Sequence, residues 1–231
     1  MKKIKLFCLP YAGGSATIYL KWRQYLNDNI EIYPVELPGR GARFNEKPYT
    51  NVKDMIEDIS ITIMNEINDC EFMIFGHSMG AILAYELIHK FNIMGIHKPK
   101  HAFFSGRGAP HLPVLKEDAY LLPEDEFTKK VFSLGGMPRL LLEQKEILNI
   151  FIKILKADYE AIEKYEYSNR DYKFEFPISV LNGVDDLLTQ NCISQWDIHT
   201  MKECDIYNFK GGHFFINDYI KEITEIILSK I

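Results

Sequence analysis

Short apolar runs alternate along the chain with longer stretches in which apolar residues recur every three or four positions. IKLFCL, IEIYPVE, FMIF, HAFFSG, SVLNG and DIYNF have the length and composition of strands. ATIYLKWRQYL, AILAYELIHKF and DYIKEITEIILSKI have the spacing of helices. So does NVKDMIEDISITIMNEIND, where Ile56, Ile59, Ile63 and Ile67 form one stripe and Asn51 stands where a cap is needed. The last helix presents Ile220, Ile223, Ile227 and Ile231 on one face. Several of these strands are apolar throughout, as strands covered on both faces are. The alternation therefore predicts an α/β fold with a mostly parallel sheet flanked by helices.

One stretch departs from the pattern. From about Pro110 to Tyr167 only helical spacing is visible, in PEDEFTKKVFSL and then LLLEQKEILNIFIKILKADYEAI. Some sixty residues of helix between two strands read as an insertion at residues 110–167, placed as a cap over the end of the sheet. The chain, 1–231, is otherwise expected to be one domain.

Composition narrows the class. The chain is 47% hydrophobic and 26% charged with net charge −5, an ordinary core-forming balance without the basic face that nucleic acid demands. Cys8, Cys70, Cys192 and Cys204 show neither C-x-x-C pairing nor metal-ligand spacing, so free thiols and no metal are expected. The opening MKKIKLFCLPYAGG is too short in its apolar part for a signal peptide, and no run reaches the length of a membrane span. A cytoplasmic protein is expected, without membrane or nucleic-acid partners.

The candidate chemistry sits in FMIFGHSMGAILAYELI. Gly76-His77-Ser78-Met79-Gly80 fits G-x-S-x-G between an apolar strand and a helix, the setting of a nucleophile elbow. Ser78 is the candidate nucleophile. A serine hydroxyl needs a base, and the base an orienting acid, in chain order Ser, Asp/Glu, His. Among the seven histidines, His77 lies within the elbow, and His89, His97 and His101 follow too soon to leave room for the acid. His111 and His199 lack a strand-end setting and are expected at the surface. His213, in FKGGHFF between the last strand and last helix, stands where a base must reach back. For the acid, SVLNGVDDLL ends a strand with two aspartates; the strand-G-x-x-D spacing favours Asp186 over its neighbour Asp185. Two oxyanion donors are expected: the N–H of Met79, and that of Ala12 in the loop LPYAGGS after the first strand. That loop lacks G-x-x-x-x-G-K-[ST] and G-x-G-x-x-G, which excludes a nucleotide site.

Taken in order, LFCLPYAGGSA, VELPGRGAR, FGHSMGAILAYEL, SGRGAP, LPEDEFTKKVFSLGGMP, LNGVDD and FKGGHFFI resemble the type II (external, editing) thioesterases of nonribosomal peptide and polyketide synthases. The resemblance spans nearly the whole length and implies an α/β-hydrolase fold with a helical lid. Ser78, Asp186 and His213 match its triad, and Ala12 and Met79 its oxyanion donors. The implied substrate is an acyl or aminoacyl thioester on the phosphopantetheine arm of a carrier protein. The implied task is removal of misprimed or stalled units. No cofactor of its own is implied; the chain lacks an Asp-Ser carrier site, so the carrier is a transient partner in trans and the enzyme is expected to be a monomer. Arg40, Arg43 and Arg107, near strand ends, could meet the arm's phosphate or an acidic carrier, or simply be solvated. Met137 and Leu140–Leu142 could line the acyl site, though packing suits them as well. Two rival functions are a carboxylesterase or lipase with the same triad and a catalytically silent binding partner.

Overall fold

The strands that the apolar runs predict pair into one sheet, in which the four inner strands are buried on both faces and the two edge strands are partly exposed. The computed structural model describes residues 3–67, 70–112, 117–133, 135, 143–189 and 194–231. Six strands, β1 (Ile4–Leu9), β2 (Ile30–Pro34), β3 (Phe72–His77), β4 (His101–Ser105), β5 (Ile178–Gly183) and β6 (Cys204–Phe209), lie in the order β2-β1-β3-β4-β5-β6, every neighbouring pair parallel. Pro34 ends β2 at the sheet's edge, where its missing N–H breaks no inner ladder.

Side chains alternate between two cores. Phe7, Leu9, Phe72, Ile74, Phe104 and Val180 face α1 (Val52–Ile67) and α2 (Met79–Ile93). Leu6, Met73, Phe75, Phe103 and Leu181 face a helical segment, Ala16–Gln24, and α5 (Ile220–Leu228). In α1 the residues Met55, Ile56, Ile59, Ile63 and Ile67 are buried, and Asn51 Oδ1 accepts the Asp54 N–H at 2.9 Å to cap the helix. Each buried isoleucine contributes about 1.5–3 kcal/mol by leaving water.

The segment Ala16–Gln24, with α-helical spacing in the sequence, is a 3-10 helix. Tyr19 and Trp22 are three apart and therefore eclipsed at three residues per turn, so both rings reach Phe75 from one face. Ser15 caps it by accepting from the Thr17 N–H. Between β4 and β5 lie α3 (Glu124–Ser133) and α4 (Lys145–Glu163), which share a small core of Ala119, Phe127, Val131, Ile152 and Leu155. Met137 and Leu140–Leu142 lie outside the described residues. No described helix is long and apolar enough to cross a membrane.

Strand order reverses between β1 and β3: the chain moves outward from β1 to β2, then returns to the other side of β1. In such sheets ligands bind outside the carboxyl ends of the strands at the reversal. The loops that follow β1 and β3, PYAGG and HSMG, are the two that flank it.

Candidate active site

Ser78 follows β3 directly and precedes α2 with φ 55° and ψ −113°. Outside glycine this backbone conformation costs about 1–3 kcal/mol, and it is maintained by its surroundings. The Ser78 N–H donates to Ser105 O at 2.7 Å, tying the turn to the end of β4. The flanking glycines make the turn possible: a Cβ on Gly76 would lie 2.0 Å from Gly80 O, and one on Gly80 would lie 2.3 Å from Leu9 O. The G-x-S-x-G pattern is therefore a packing requirement where β1, β3 and α2 converge. Ser78 itself is half-buried, and its hydroxyl has no hydrogen-bond partner among the described residues.

The loops after β5 and β6 meet each other in the same way. Gly183 ends β5 so close to the second loop that a Cβ there would lie 2.4 Å from Gly212 O. That approach brings His213 Nδ1 to 2.7 Å from Asp186 Oδ2. Asp186 is 2% exposed and His213 9%. The carboxylate accepts, so Nδ1 carries the proton and Nε2 is left unprotonated, free to accept one. Asp186 Oδ1 also accepts the Leu188 N–H at 3.0 Å, which fixes the carboxylate's plane. Asp185, one residue earlier, is exposed and accepts the Gly211 N–H at 3.3 Å.

The His213 ring lies 5.0 Å, centroid to centroid, from that of His77, the residue before Ser78. His77 is fully buried, its Nδ1 2.9 Å from Ser105 Oγ, and burial pushes it well below its ordinary value, so it stays neutral beside the candidate base. Gly106, at φ +58°, leaves room for this ring; a Cβ there would lie 2.5 Å from His77 Cε1.

Ala12 and Met79 stand on opposite sides of the reversal point. Met79 is the first residue of α2, so its N–H has no intrahelical acceptor. In the PYAGG loop the Gly14 N–H donates to Tyr11 O at 2.8 Å and the Gly13 N–H to Asp158 Oδ2 at 2.7 Å. The Ala12 N–H has no acceptor among the described residues. On the far side of the loop, Glu36 accepts from Ser15 Oγ at 2.8 Å and the Ala16 N–H at 3.0 Å.

Other residues singled out by sequence are placed differently. Arg40 is 5% exposed and pairs bidentately with Asp158, at 2.7 and 2.8 Å; Arg43 pairs with Glu46 and Asp58. Arg40 is engaged inside the chain and is not open to an arriving phosphate, whereas Arg43 is partly exposed with its guanidinium shared between two carboxylates. Arg107 is half-buried and has no acidic partner among the described residues. His199, expected at the surface, is buried: Trp196 stacks on Phe104 at 4.1 Å and draws the short turn Ser194–His199 inward, so that His199 contacts Tyr85 Oη at 3.2 Å and His111 Nδ1 at 2.9 Å.

Sequence reasoning missed Glu36 and Asp158. For Asp158 a signal existed: Ile154, Leu155, Asp158 and Ala161 share the buried stripe of α4, and an acid on such a stripe is out of place unless it has a partner.

A strained half-buried serine opening a helix and a buried Asp–His pair at a strand end, on a parallel sheet, define an α/β-hydrolase-type active-site architecture. Residues 4–231 match the family model described as "Thioesterase domain", and the chain belongs to that family. It is similar to the gramicidin S biosynthesis protein GrsT of Aneurinibacillus migulanus, 35% identical over 99% of this chain and 89% of that protein. It is 30% identical to the medium-chain S-acyl fatty acid synthase thioesterase of Rattus norvegicus, over 96% and 88% of the two chains. Among solved structures, ClbQ from the colibactin NRPS/PKS pathway superposes with TM-score 0.95 at 32% identity, covering 99% of this chain and 97% of that one.

Proposed function

We propose that the chain hydrolyses acyl or aminoacyl thioesters carried on the phosphopantetheine arm of a carrier protein, clearing misprimed or stalled units from a nonribosomal peptide or polyketide assembly line. The buried Asp186–His213 pair, one ring away from the elbow that presents Ser78, carries this reading. Membership of the thioesterase family supports the choice of a thioester over an oxygen ester, and similarity to GrsT and ClbQ supports an assembly-line setting.

In this reading Ser78 Oγ attacks the thioester carbonyl while His213 Nε2 accepts its proton; Asp186 holds the ring in the required tautomer and offsets the charge it gains. The Ser78–His213 hydrogen bond that this transfer needs is made in the substrate complex. The Ala12 and Met79 amides receive the oxyanion. The pantetheine thiolate leaves with less need of an acid than an amine would have. Water, activated by His213, then attacks the acyl-serine ester and releases the acid and the free enzyme. The helices between β4 and β5 serve as a lid over the acyl group within one domain. The enzyme acts as a monomer in the cytoplasm and needs no cofactor beyond the arm its partner supplies. Arg107 is the arginine left to meet the arm's phosphate.

Comparison of kcat/KM on acyl-loaded carriers, free acyl-pantetheine thioesters and simple oxygen esters tests the proposal. Preference for carrier-bound thioesters is expected. A preference for oxygen esters identifies a carboxylesterase instead.

A further inference from the structure

Glycines free the PYAGG loop to turn, and the same freedom would let the loop drift from the position in which the Ala12 N–H can reach an oxyanion. Something outside the loop must therefore anchor it. Gly13 has φ +74°, and a Cβ on it would lie 2.8 Å from Leu155 Cδ1, so α4 touches the loop at this residue. One helical turn from Leu155, Asp158 is fully buried and its Oδ2 accepts the Gly13 N–H at 2.7 Å. Arg40 holds the same carboxylate through both terminal nitrogens and donates as well to Gly14 O at 3.2 Å and Pro38 O at 3.4 Å. A flip of the Ala12–Gly13 peptide, the central one of this turn, would set the Ala12 carbonyl against that carboxylate, so the loop is held in one form at this point.

We infer that Asp158 is a positioning residue: by holding the Gly13 N–H it anchors the loop at the residue next to Ala12 and so keeps the Ala12 N–H, carried by the preceding Tyr11–Ala12 peptide, within reach of the reacting carbonyl, with Arg40 holding the Asp158 carboxylate in place. This rests on the proposed oxyanion role of Ala12. A buried ion pair is weak support for folding, because desolvating both charges offsets most of their attraction. The value of this pair lies in what its oxygen does to Gly13.

Two variants test it in the carrier-thioester assay. Arg40→Met/Asp158→Leu removes both charges and the acceptor; Asp158→Asn keeps the shape and removes one charge. The double variant is expected to fold and to lose about 10- to 100-fold in kcat, somewhat less than outright removal of an oxyanion donor, with KM within about threefold of the parent. In both variants the Gly13 amide proton, read by 15N–1H NMR, is expected to move upfield as it loses its carboxylate acceptor. A folded variant with undiminished kcat overturns the inference. So does a change in KM alone, an unmoved Gly13 resonance, or failure of both variants to fold, which would make the pair a folding element. Ser78→Ala serves as the separate control: if it keeps its activity, the proposed site is wrong whatever Asp158 does.

Discussion

His213 Nδ1 and Asp186 Oδ2 lie 2.7 Å apart, although 27 residues separate them along the chain. Asp185 is chemically the same side chain one residue away, yet it turns to solvent and to Gly211. Asp186→Asn is expected to lower kcat by about 10⁴-fold, because an amide in that position favours the wrong imidazole tautomer. Asp185→Asn should stay within a few-fold of the parent, since an amide oxygen can accept from the Gly211 N–H. Steady-state kinetics on one thioester ranks the two, and the reverse ranking moves the acid by one position.

Contact between the loops after β5 and β6 gives a steric prediction. Gly183→Ala places a methyl 2.4 Å from Gly212 O and pushes the histidine loop off Asp186. A loss of about 100-fold in kcat is expected, the usual scale for a displacement of about an ångström in a catalytic group. Among the described residues Gly212→Ala meets nothing nearer than Asp185 O at 4.0 Å and should be tolerated. Equal activity in the two variants would show that the close approach does not matter.

Strain at Ser78 is also measurable. Ser78→Ala keeps the left-handed backbone and should abolish hydrolysis without changing stability, since the hydroxyl has no partner to lose among the described residues. Ser78→Gly relieves the backbone and should raise stability by about 1 kcal/mol over Ser78→Ala in urea denaturation. Equal stability of the two would mean the turn is not strained.

Stability should fall on the acid side of neutrality. Burial lowers His199 and His101 to about 4 and His89 to about 3, each from 6.5, with the neighbouring His111, Lys230 and Arg170 respectively acting in the same direction. Below pH 6.5 the unfolded chain takes up protons at these positions that the folded chain refuses, so ΔG of unfolding declines as pH falls toward 4 and is unaffected by them above 6.5. Thermal melts between pH 7.5 and 4.5 should show Tm decreasing through that window. A flat profile would mean that the three rings are not held neutral.

Much of this arrangement was legible in the chain because it depends on local spacing. Continuous apolar runs marked strands buried on both faces, and G-x-S-x-G and G-x-x-D record places where a Cβ cannot fit. What was not legible depends on partners far away in sequence. Arg40 and Asp158 are 118 residues apart, so neither looks like half of a buried pair by itself. His199 belongs to an aromatic cluster with Tyr85 and Trp196 that exists only once the chain has folded. The 3-10 geometry of Ala16–Gln24 was hidden because Tyr19 and Trp22 fit either helical period until Phe75 is placed beneath them.

Peptide mass spectrometry of enzyme quenched during turnover of an acyl-loaded carrier reads the covalent step itself. The acyl mass should appear on the peptide that contains Ser78 and should be absent from the Ser78→Ala enzyme, which should not turn over. An acyl group on another residue, or undiminished hydrolysis by Ser78→Ala, would contradict the account.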